Sequence, residues 1–153
     1  MRRPSATLLA LILVGLIPGC RPTGPRPIAL GTEPCARCHM TIDDPRFSAE
    51  TVTATGKAIV FDDVGCLAIW LGSHPEPAAT AWVTSFVDQT NWLDARAAVY
   101  LQSDSLRTPM SSGLLALRPG HEADSVRARL GGRLLSWVEV QDAASPPAPS
   151  PAS

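Results

Sequence analysis

The sequence has few residues of the kinds that bind soft metals, and it has no concentration of positive charge. Its 153 residues include four Cys, three His and three Met, and the formal net charge is −1 at pH 7. Without a basic patch, the chain lacks the electrostatic footprint of a nucleic-acid-binding protein. Its longest apolar run, at positions 8–17, is shorter than the roughly 18 residues that a membrane-spanning helix needs. Nucleic-acid binding and a permanent transmembrane helix are therefore not expected.

Residues 1–19 have the pattern of an export signal. Two arginines precede the apolar run, and the sequence Ile-Pro-Gly-Cys at 17–20 ends it. This ending resembles a bacterial lipobox, in which the Cys is acylated and becomes the first residue of the mature chain. We therefore expect Cys20 to anchor the protein to a bacterial membrane, facing the periplasm or the cell exterior, where disulfides can form.

Composition predicts one folded domain between two irregular segments. Residues 20–31 are rich in Pro and Gly and are predicted to be a flexible linker. Residues 142–153 are nearly all Ala, Ser and Pro and are predicted to be a disordered tail. The remaining segment, 32–141, has the length of a single domain that can bury a core without disulfides.

The first half of that domain, residues 32–88, has the pattern strand, strand, helix, strand. A Gly-Lys turn separates the first two strands, and Asp62-Asp63 is interpreted as a helix N-cap rather than a metal-binding pair. The predicted elements are strands at 46–55 and 58–61, a helix at 64–71 and a strand at 81–87.

The second half, residues 89–141, repeats this order. The predicted elements are strands at 97–102 and 114–117, a helix at 119–130 and a strand at 134–140. A Trp-Val pair also recurs in the two closing strands, at 82–83 and 137–138. The repeated order predicts an α+β fold made of two similar β-β-α-β units, formed by internal duplication.

The sequence Cys-Ala-Arg-Cys-His-Met at positions 35–40, called the hexad below, concentrates the soft ligands of the chain. Cys-x-x-Cys is typical of redox proteins, Cys-x-x-Cys-His of covalent haem attachment, and thiolates with thioethers of Cu(I) sites. A redox motif is expected at the start of a helix, whereas Asp-Asp-Pro at 43–45 interrupts any helix here. A structural Zn²⁺ site would need a second closely spaced ligand pair, which the sequence lacks.

Haem attachment is one alternative that the residues leave open. In a small c-type cytochrome, Cys35 and Cys38 would form the thioethers, His39 would be the proximal ligand and Met110 the distal one. Against this hypothesis, a β-hairpin pattern follows the hexad directly, and aromatic residues make up only 5% of the chain. Little is therefore available to pack against a porphyrin.

Copper(I) matches the ligand types better, because this soft ion binds a small number of sulfur ligands. Cys38, Met40 and Met110 would converge if the second half folded over the first. Met110 belongs to the sequence Thr-Pro-Met-Ser-Ser-Gly at 108–113, called the Met110 turn below, whose residues favour the surface. Cys66 lies in the first turn of a predicted helix, where the helix dipole favours a thiolate.

The order and spacing of these segments resemble the NosL family, the accessory lipoproteins of nitrous oxide reductase. The matching segments are Cys-x-x-Cys-x-Met at 35–40, Asp-x-Pro-Arg-Phe at 43–47, Phe-Asp-Asp-Val-Gly-Cys-Leu at 61–67, Trp-Val at 82–83, Trp-Leu-Asp-Ala at 92–95, and the Met110 turn. The resemblance implies a membrane-anchored binding protein, not an enzyme, that holds one Cu(I). It would pass the ion to a periplasmic acceptor such as nitrous oxide reductase.

The resemblance also implies the duplicated fold and a set of ligands. Its soft-ligand positions correspond to Cys38, Met40 and Met110, with Cys35 and Cys66 as further candidates. His39 departs from the family pattern, which has Gly before the Met. Its imidazole would either add a ligand to a copper site or serve the haem alternative.

Overall fold

The computed structural model describes residues 24–76 and 79–144, and the first of its two sheets has four antiparallel strands, the last of which lies beyond the predicted boundary at residue 88. The strands are β1 (Ala49–Val52), β2 (Ala58–Phe61), β3 (Thr80–Thr84) and β4 (Trp92–Asp94), in the order β2-β1-β3-β4. Helix α1 (Val64–Ser73) connects β2 to β3 and contacts β1 and β2. A short 3-10 helix precedes β1 at Pro45–Phe47.

The second half contains a three-stranded antiparallel sheet with the same connectivity. The elements are β5 (Val99–Gln102), β6 (Leu114–Leu117), helix α2 (His121–Leu130) and β7 (Arg133–Leu135), and the strand order is β6-β5-β7. In both halves the first strand lies at the centre of its unit and the helix follows the second strand. The predicted α+β fold class is confirmed, and the order β-β-α-β in each half is what an internal duplication would produce.

The end of the domain is helical, so the strand predicted at 134–140 is wrong beyond residue 135. Helix α3 (Trp137–Ala144) follows β7 directly. Ser136 and Glu139 form a capping box at its start. The Glu139 carboxylate accepts from the Ser136 backbone N–H at 2.7 Å, and the Ser136 hydroxyl accepts from the Glu139 N–H at 3.4 Å. These two bonds satisfy helix N-terminal donors and favour a helix over the predicted strand.

The recurring Trp-Val pair therefore does not mark equivalent strands. Trp82 lies in β3, whereas Trp137 begins α3 and packs against Tyr100 with ring centroids 5.6 Å apart. Trp137 and Val140 are buried while Val138 is exposed, which is the pattern of a helix with one face on the core. The pattern-based prediction also contained no strand at the position of β4.

Both ends of the domain extend beyond the predicted limits of 32–141. At the C-terminal end, α3 continues to Ala144, so the first residues of the predicted tail belong to a helix. At the N-terminal end, Arg26 lies in the predicted linker but contacts the domain. Its guanidinium pairs with Glu33 at 2.7 Å, and its backbone N–H donates to Glu50 at 3.2 Å.

Other parts of the predicted organisation lie outside the described residues. These are the export signal at 1–19, the acylated Cys20 and residues 145–153 of the tail. Within the two described ranges, no helix combines the length and apolar character needed to cross a membrane.

The two halves are joined through their sheets and share a core. The Phe86 N–H after β3 donates to the Ala116 carbonyl of β6 at 2.9 Å, and α1 contacts α3. The main core combines residues of β2, α1 and β5, among them Phe61, Leu67 and Tyr100. Because β2 runs directly into α1, the start of α1 lies at one end of the first sheet. It also contacts the Met110 turn of the second half.

Glu50 on β1 is a buried carboxylate whose protonation should change the stability of the fold. It is fully buried, and its Oε2 has no hydrogen-bond partner among the described residues. Burial raises the pKa of Glu50, and Glu33 adds to this effect, while Arg26 opposes it. The folded state therefore binds more protons than the unfolded state between the two pKa values, so stability falls as the pH rises through that window.

Glu50→Gln is accordingly expected to stabilise the fold by about 1 kcal/mol at neutral pH, because a neutral amide costs less to bury than a carboxylate. The gain should shrink as the pH falls toward the unfolded-state pKa of glutamate, about 4.3. Urea denaturation at several pH values measures it. Glu33→Gln is the control and should lower the stability at neutral pH, since the hydrogen bond from Arg26 lowers the pKa of Glu33. A Glu50→Gln protein less stable than the parent at neutral pH would contradict the expectation.

Candidate metal centre

The hexad forms a closed loop at the edge of the first sheet. Its base is an antiparallel bridge between Pro34 and Thr41. Within the loop, the Cys35 N–H donates to the Met40 carbonyl at 2.8 Å, and the Ala36 N–H donates to the Val60 carbonyl of β2 at 2.9 Å. The hexad is therefore a loop attached to β2 and does not begin a helix, which agrees with the argument against a redox motif.

This loop brings two of its cysteines to the start of α1. Cys35, Cys38, Asp62 and Cys66, called the thiol cluster below, each have a potential ligand atom within 4.8 Å of those of the other three. Asp62 lies in the connection from β2 to α1, and Cys66 lies in the first turn of α1. Cys35, Asp62 and Cys66 are buried and Cys38 is half-buried. All three of these cysteines are free thiols.

The three thiols differ in their readiness to ionise. The Cys66 thiol, acting as a donor toward the Cys35 sulfur, lowers the pKa of Cys35 to about 6. The same contact, together with burial, raises the pKa of Cys66. Burial is the main reason that the pKa of Cys38 is raised to about 11. Without a metal ion, the neighbouring Cys35 and burial therefore act against the Cys66 thiolate that the helix start favours.

Asp62 and Asp63 have separate roles, although the sequence suggested that both belong to a helix cap. Asp63 is the N-cap of α1, and its Oδ1 accepts from the Gly65 N–H at 2.6 Å. Asp62 points into the thiol cluster instead, where its Oδ2 accepts from the Cys38 thiol at 3.2 Å. Its Oδ1 is buried and has no hydrogen-bond partner among the described residues. The sequence contained one signal of this role, since α1 needs only one N-cap and two aspartates precede it.

The Met110 turn packs against the same end of α1. The Met110 N–H donates to Asp63 Oδ2 at 3.2 Å, so one carboxylate both caps the helix and holds this turn. A Cβ atom at Gly65 would lie 3.0 Å from the Ser112 Cβ, which shows how closely the turn approaches the helix. The Met110 side chain is 37% exposed. The second half therefore contacts the first at the start of α1, and Met110 lies at the surface, where the composition of its turn predicted it.

Met40 and His39 lie on the exposed side of the hexad. The Met40 side chain is 42% exposed, and its carbonyl is bonded to the backbone of Cys35. His39 is exposed and has a φ of 63°, in the left-handed region that favours glycine. This backbone conformation is one that a glycine at position 39 would adopt without strain. His39 is not part of the thiol cluster.

Arg37 brings a positive charge next to one of the thiols. Its Nη1 lies 3.9 Å from the Cys66 sulfur, although the residue is otherwise exposed. A guanidinium beside a thiol stabilises the thiolate form that binds metals. The sequence did not single out this residue, because the contact joins two positions that are distant in the chain.

The burial of Cys35 argues against the haem alternative. Covalent attachment needs both thiols of Cys-x-x-Cys to reach the edge of one porphyrin. Cys35 is fully buried, and its sulfur lies within 4.8 Å of the Cys66 sulfur. Attachment would therefore require the hexad to leave β2 and expose part of the core.

Comparisons with known proteins agree with this architecture. The model of the NosL family matches residues 27–145. The crystal structure of the copper chaperone NosL from Shewanella denitrificans is similar in fold, with a TM-score of 0.68 and 20% sequence identity. The match covers 80% of this chain and 98% of that one. No curated protein matched the sequence.

Proposed function

Because the chain belongs to the NosL family, we propose that it is a copper chaperone that holds one Cu(I) and delivers it to an acceptor protein in the periplasm. The first candidate for that acceptor is nitrous oxide reductase. The observation that carries the proposal is the juxtaposition of a partly buried thiol cluster with two exposed methionines. Cys38 belongs to the cluster, while Met40 and Met110 lie on backbone segments that are bonded to Cys35 and Asp63.

The proposed Cu(I) ligands are Cys38, Met40 and Met110. Cys38 is the only thiol of the cluster that is not fully buried, so it is accessible to an incoming ion. A thiolate with two neutral thioethers suits a soft monovalent ion of low coordination number. Cys35, Cys66 and His39 are further candidates, of which the two cysteines lie within the cluster and His39 does not.

Transfer would proceed by exchange of ligands and not by catalysis of a reaction. Met40 and Met110 are both partly exposed, so an acceptor thiolate or imidazole can approach the ion from their side. Each incoming ligand would displace one sulfur, and the low coordination number keeps the intermediates accessible. The protein would thus act as a binding and delivery module rather than as an enzyme.

We also propose that the protein works at the membrane surface, attached through acylated Cys20. The lipobox pattern at 17–20 supports this part of the proposal. A tether keeps the chaperone close to the export and assembly sites of its acceptor and raises its local concentration there. Labelling with a radioactive fatty acid would test it, since incorporation should be lost in Cys20→Ala.

The metal itself is tested by titrating the reduced protein with Cu(I) in competition with a Cu(I)-specific chelator. We expect one tightly bound equivalent, with sulfur as the dominant ligand in the X-ray absorption spectrum. Incubation with copper-free nitrous oxide reductase should then move the copper to the enzyme. Expression with a haem maturation system is the control for the alternative, and it should yield a protein without a Soret band. A red protein that does not bind Cu(I) would overturn the proposal.

A further inference from the structure

Part of the predicted linker is fixed to the domain. The Arg26 N–H donates to Glu50 at 3.2 Å, and the Arg26 guanidinium pairs with Glu33 at 2.7 Å. Ile28, two residues later, packs against the main core. The chain is therefore held on the domain from Arg26 onward, and the free length between Cys20 and the domain is at most the few residues before Arg26.

With Cys20 acylated, as proposed, this short tether limits which side of the domain can face the membrane. Pro27 is seven residues after Cys20. An extended chain spans at most about 3.6 Å per residue, so Pro27 lies within roughly 25 Å of the anchor. A domain of this length is roughly 35 Å across. The side of the domain that carries Pro27 therefore cannot be the side farthest from the membrane.

The surface around Pro27 contains a groove of about 300 Å³, called the Trp92 groove below. Its apolar lining includes Pro27, Ile28, Leu30 and Trp92, and polar side chains line the rest. The Leu30 side chain is 43% exposed, and Trp92 is half-buried. Trp92 begins β4, which is an edge strand of the first sheet. The tether thus ends beside a groove that presents apolar side chains to solvent.

We propose that the Trp92 groove docks onto the surface of a phospholipid bilayer. Tryptophan is enriched at the membrane–water interface, because its ring is apolar and its N–H can donate to lipid headgroups. The indole N–H of Trp92 has no hydrogen-bond partner among the described residues, whereas that of Trp82 donates to the Thr80 hydroxyl at 3.1 Å. The exposed Leu30 would contact the acyl chains beside the Trp92 ring.

Arg118 brings a positive charge to the same side of the domain. It lines a second groove, of about 560 Å³, together with Trp92. Its guanidinium lies 3.6 Å from the Glu122 carboxylate, and its side chain is 47% exposed, so its N–H groups are available to a lipid phosphate. Asp94 also lines this groove and offsets part of that charge. The apolar contact should therefore contribute most of the affinity.

A weak contact is sufficient, because the tether keeps the Trp92 groove at a high effective concentration beside the bilayer. Strand β4 is one edge of the first sheet, and β2, to which the hexad is bonded, is the other edge. Docking through Trp92 would therefore place the bilayer and the hexad at opposite edges of the sheet. The hexad should then stay accessible to an acceptor in the periplasm.

Quenching of tryptophan fluorescence by brominated lipids tests the docking in the reduced, metal-free, acylated full-length protein. Bromine quenches only rings that lie close to it. Vesicles of phosphatidylethanolamine, phosphatidylglycerol and acyl-chain-brominated phosphatidylcholine should therefore quench part of the fluorescence, compared with vesicles that contain no bromine. Trp92→Phe should remove most of this quenching. Trp70→Phe is the matched control, since Trp70 is a half-buried ring on α1, and it should retain the quenching.

Leu30→Ser should reduce the quenching by about half or more, because an apolar contact with the acyl chains is lost. Leu30 is exposed, so this variant decides the test if Trp92→Phe does not fold. Flotation with the vesicles measures attachment separately. A parent protein that floats without being quenched would overturn the docking, as would quenching that Trp92→Phe retains. A parent protein that does not float would overturn the membrane attachment and the docking with it, while Cu(I) binding is measured independently of both.

Discussion

Replacing Cys38 with serine is expected to lower the Cu(I) affinity of the reduced protein by more than about 100-fold. Loss of a residue that merely supports a metal ligand commonly costs 10- to 100-fold, and Cys38 is proposed to bind the ion itself. A serine hydroxyl is neutral at physiological pH and too hard a ligand for Cu(I) to replace the thiolate. Cys38 also provides the most accessible thiol of the cluster, so loading should be slower as well. Competition with a Cu(I)-specific chelator measures the affinity.

Met110→Leu tests whether the second half of the domain contributes to the same site. Leucine has nearly the volume of methionine, so the Met110 turn should keep its place while the thioether is lost. We expect a clear decrease in Cu(I) affinity, smaller than that for Cys38→Ser because a neutral thioether is the weaker ligand. Val138→Ala is the control, since it changes an exposed apolar residue on α3. Unchanged Cu(I) affinity in both Cys38→Ser and Met110→Leu would exclude this ligand set.

Removing the side chain of Asp63 should weaken both the fold and the metal site. Its carboxylate caps α1 through Gly65 and holds the Met110 turn through the Met110 N–H. Loss of an N-cap costs about 1 to 2 kcal/mol, and Asp63 is fully buried, so Asp63→Ala should be near the upper end of that range. Because Met110 also loses its tether, Cu(I) affinity should fall in parallel. Chemical denaturation and the chelator competition measure the two effects.

Asp63→Asn separates these two roles of the side chain. Asparagine caps helices about as well as aspartate, so α1 should remain stable. Its amide nitrogen cannot accept a hydrogen bond, and the Met110 N–H would therefore lose its partner. We expect near-parental stability with reduced Cu(I) affinity. Asp44→Ala is the control, because Asp44 caps the short 3-10 helix at Pro45–Phe47 and its carboxylate bonds to Arg46. Parental Cu(I) affinity in Asp63→Asn would show that this hydrogen bond does not position Met110.

The local sequence predicted secondary structure correctly where the residues of one short segment are enough to specify it. The strands β2 and β6 begin and end where their β-branched and apolar runs predicted, at 58–61 and 114–117. The prediction failed at α3, where a strand was expected at 134–140. The capping box of Ser136 and Glu139 was a readable signal of that helix. A short apolar segment can form either a strand or a helix with one buried face, so the hydrogen bonds at the helix start were decisive.

The candidate site depends on contacts between residues that are distant in the chain, which sequence patterns do not predict. The hexad concentrates soft ligands locally, and its composition alone narrowed the chemistry to copper or haem. By contrast, the contact from Cys38 to Asp62 spans 24 positions, and the contact from Met110 to Asp63 spans 47. Such pairs depend on how the hexad pairs with β2 and how the second half packs on α1. No local period or spacing specifies that packing.

Local sequence was enough to predict the β-β-α-β order of each half, the hexad as the source of soft ligands, and the exposed turn around Met110. These follow from hydrophobic period, turn residues and ligand chemistry, all of which act over a few neighbouring residues. Long-range packing, by contrast, places Asp63 at the N-cap of α1, brings Asp62 to three thiols and buries Cys66 beside Cys35. Burial and the approach of distant side chains set the partners of each group, and a few neighbouring residues do not specify either.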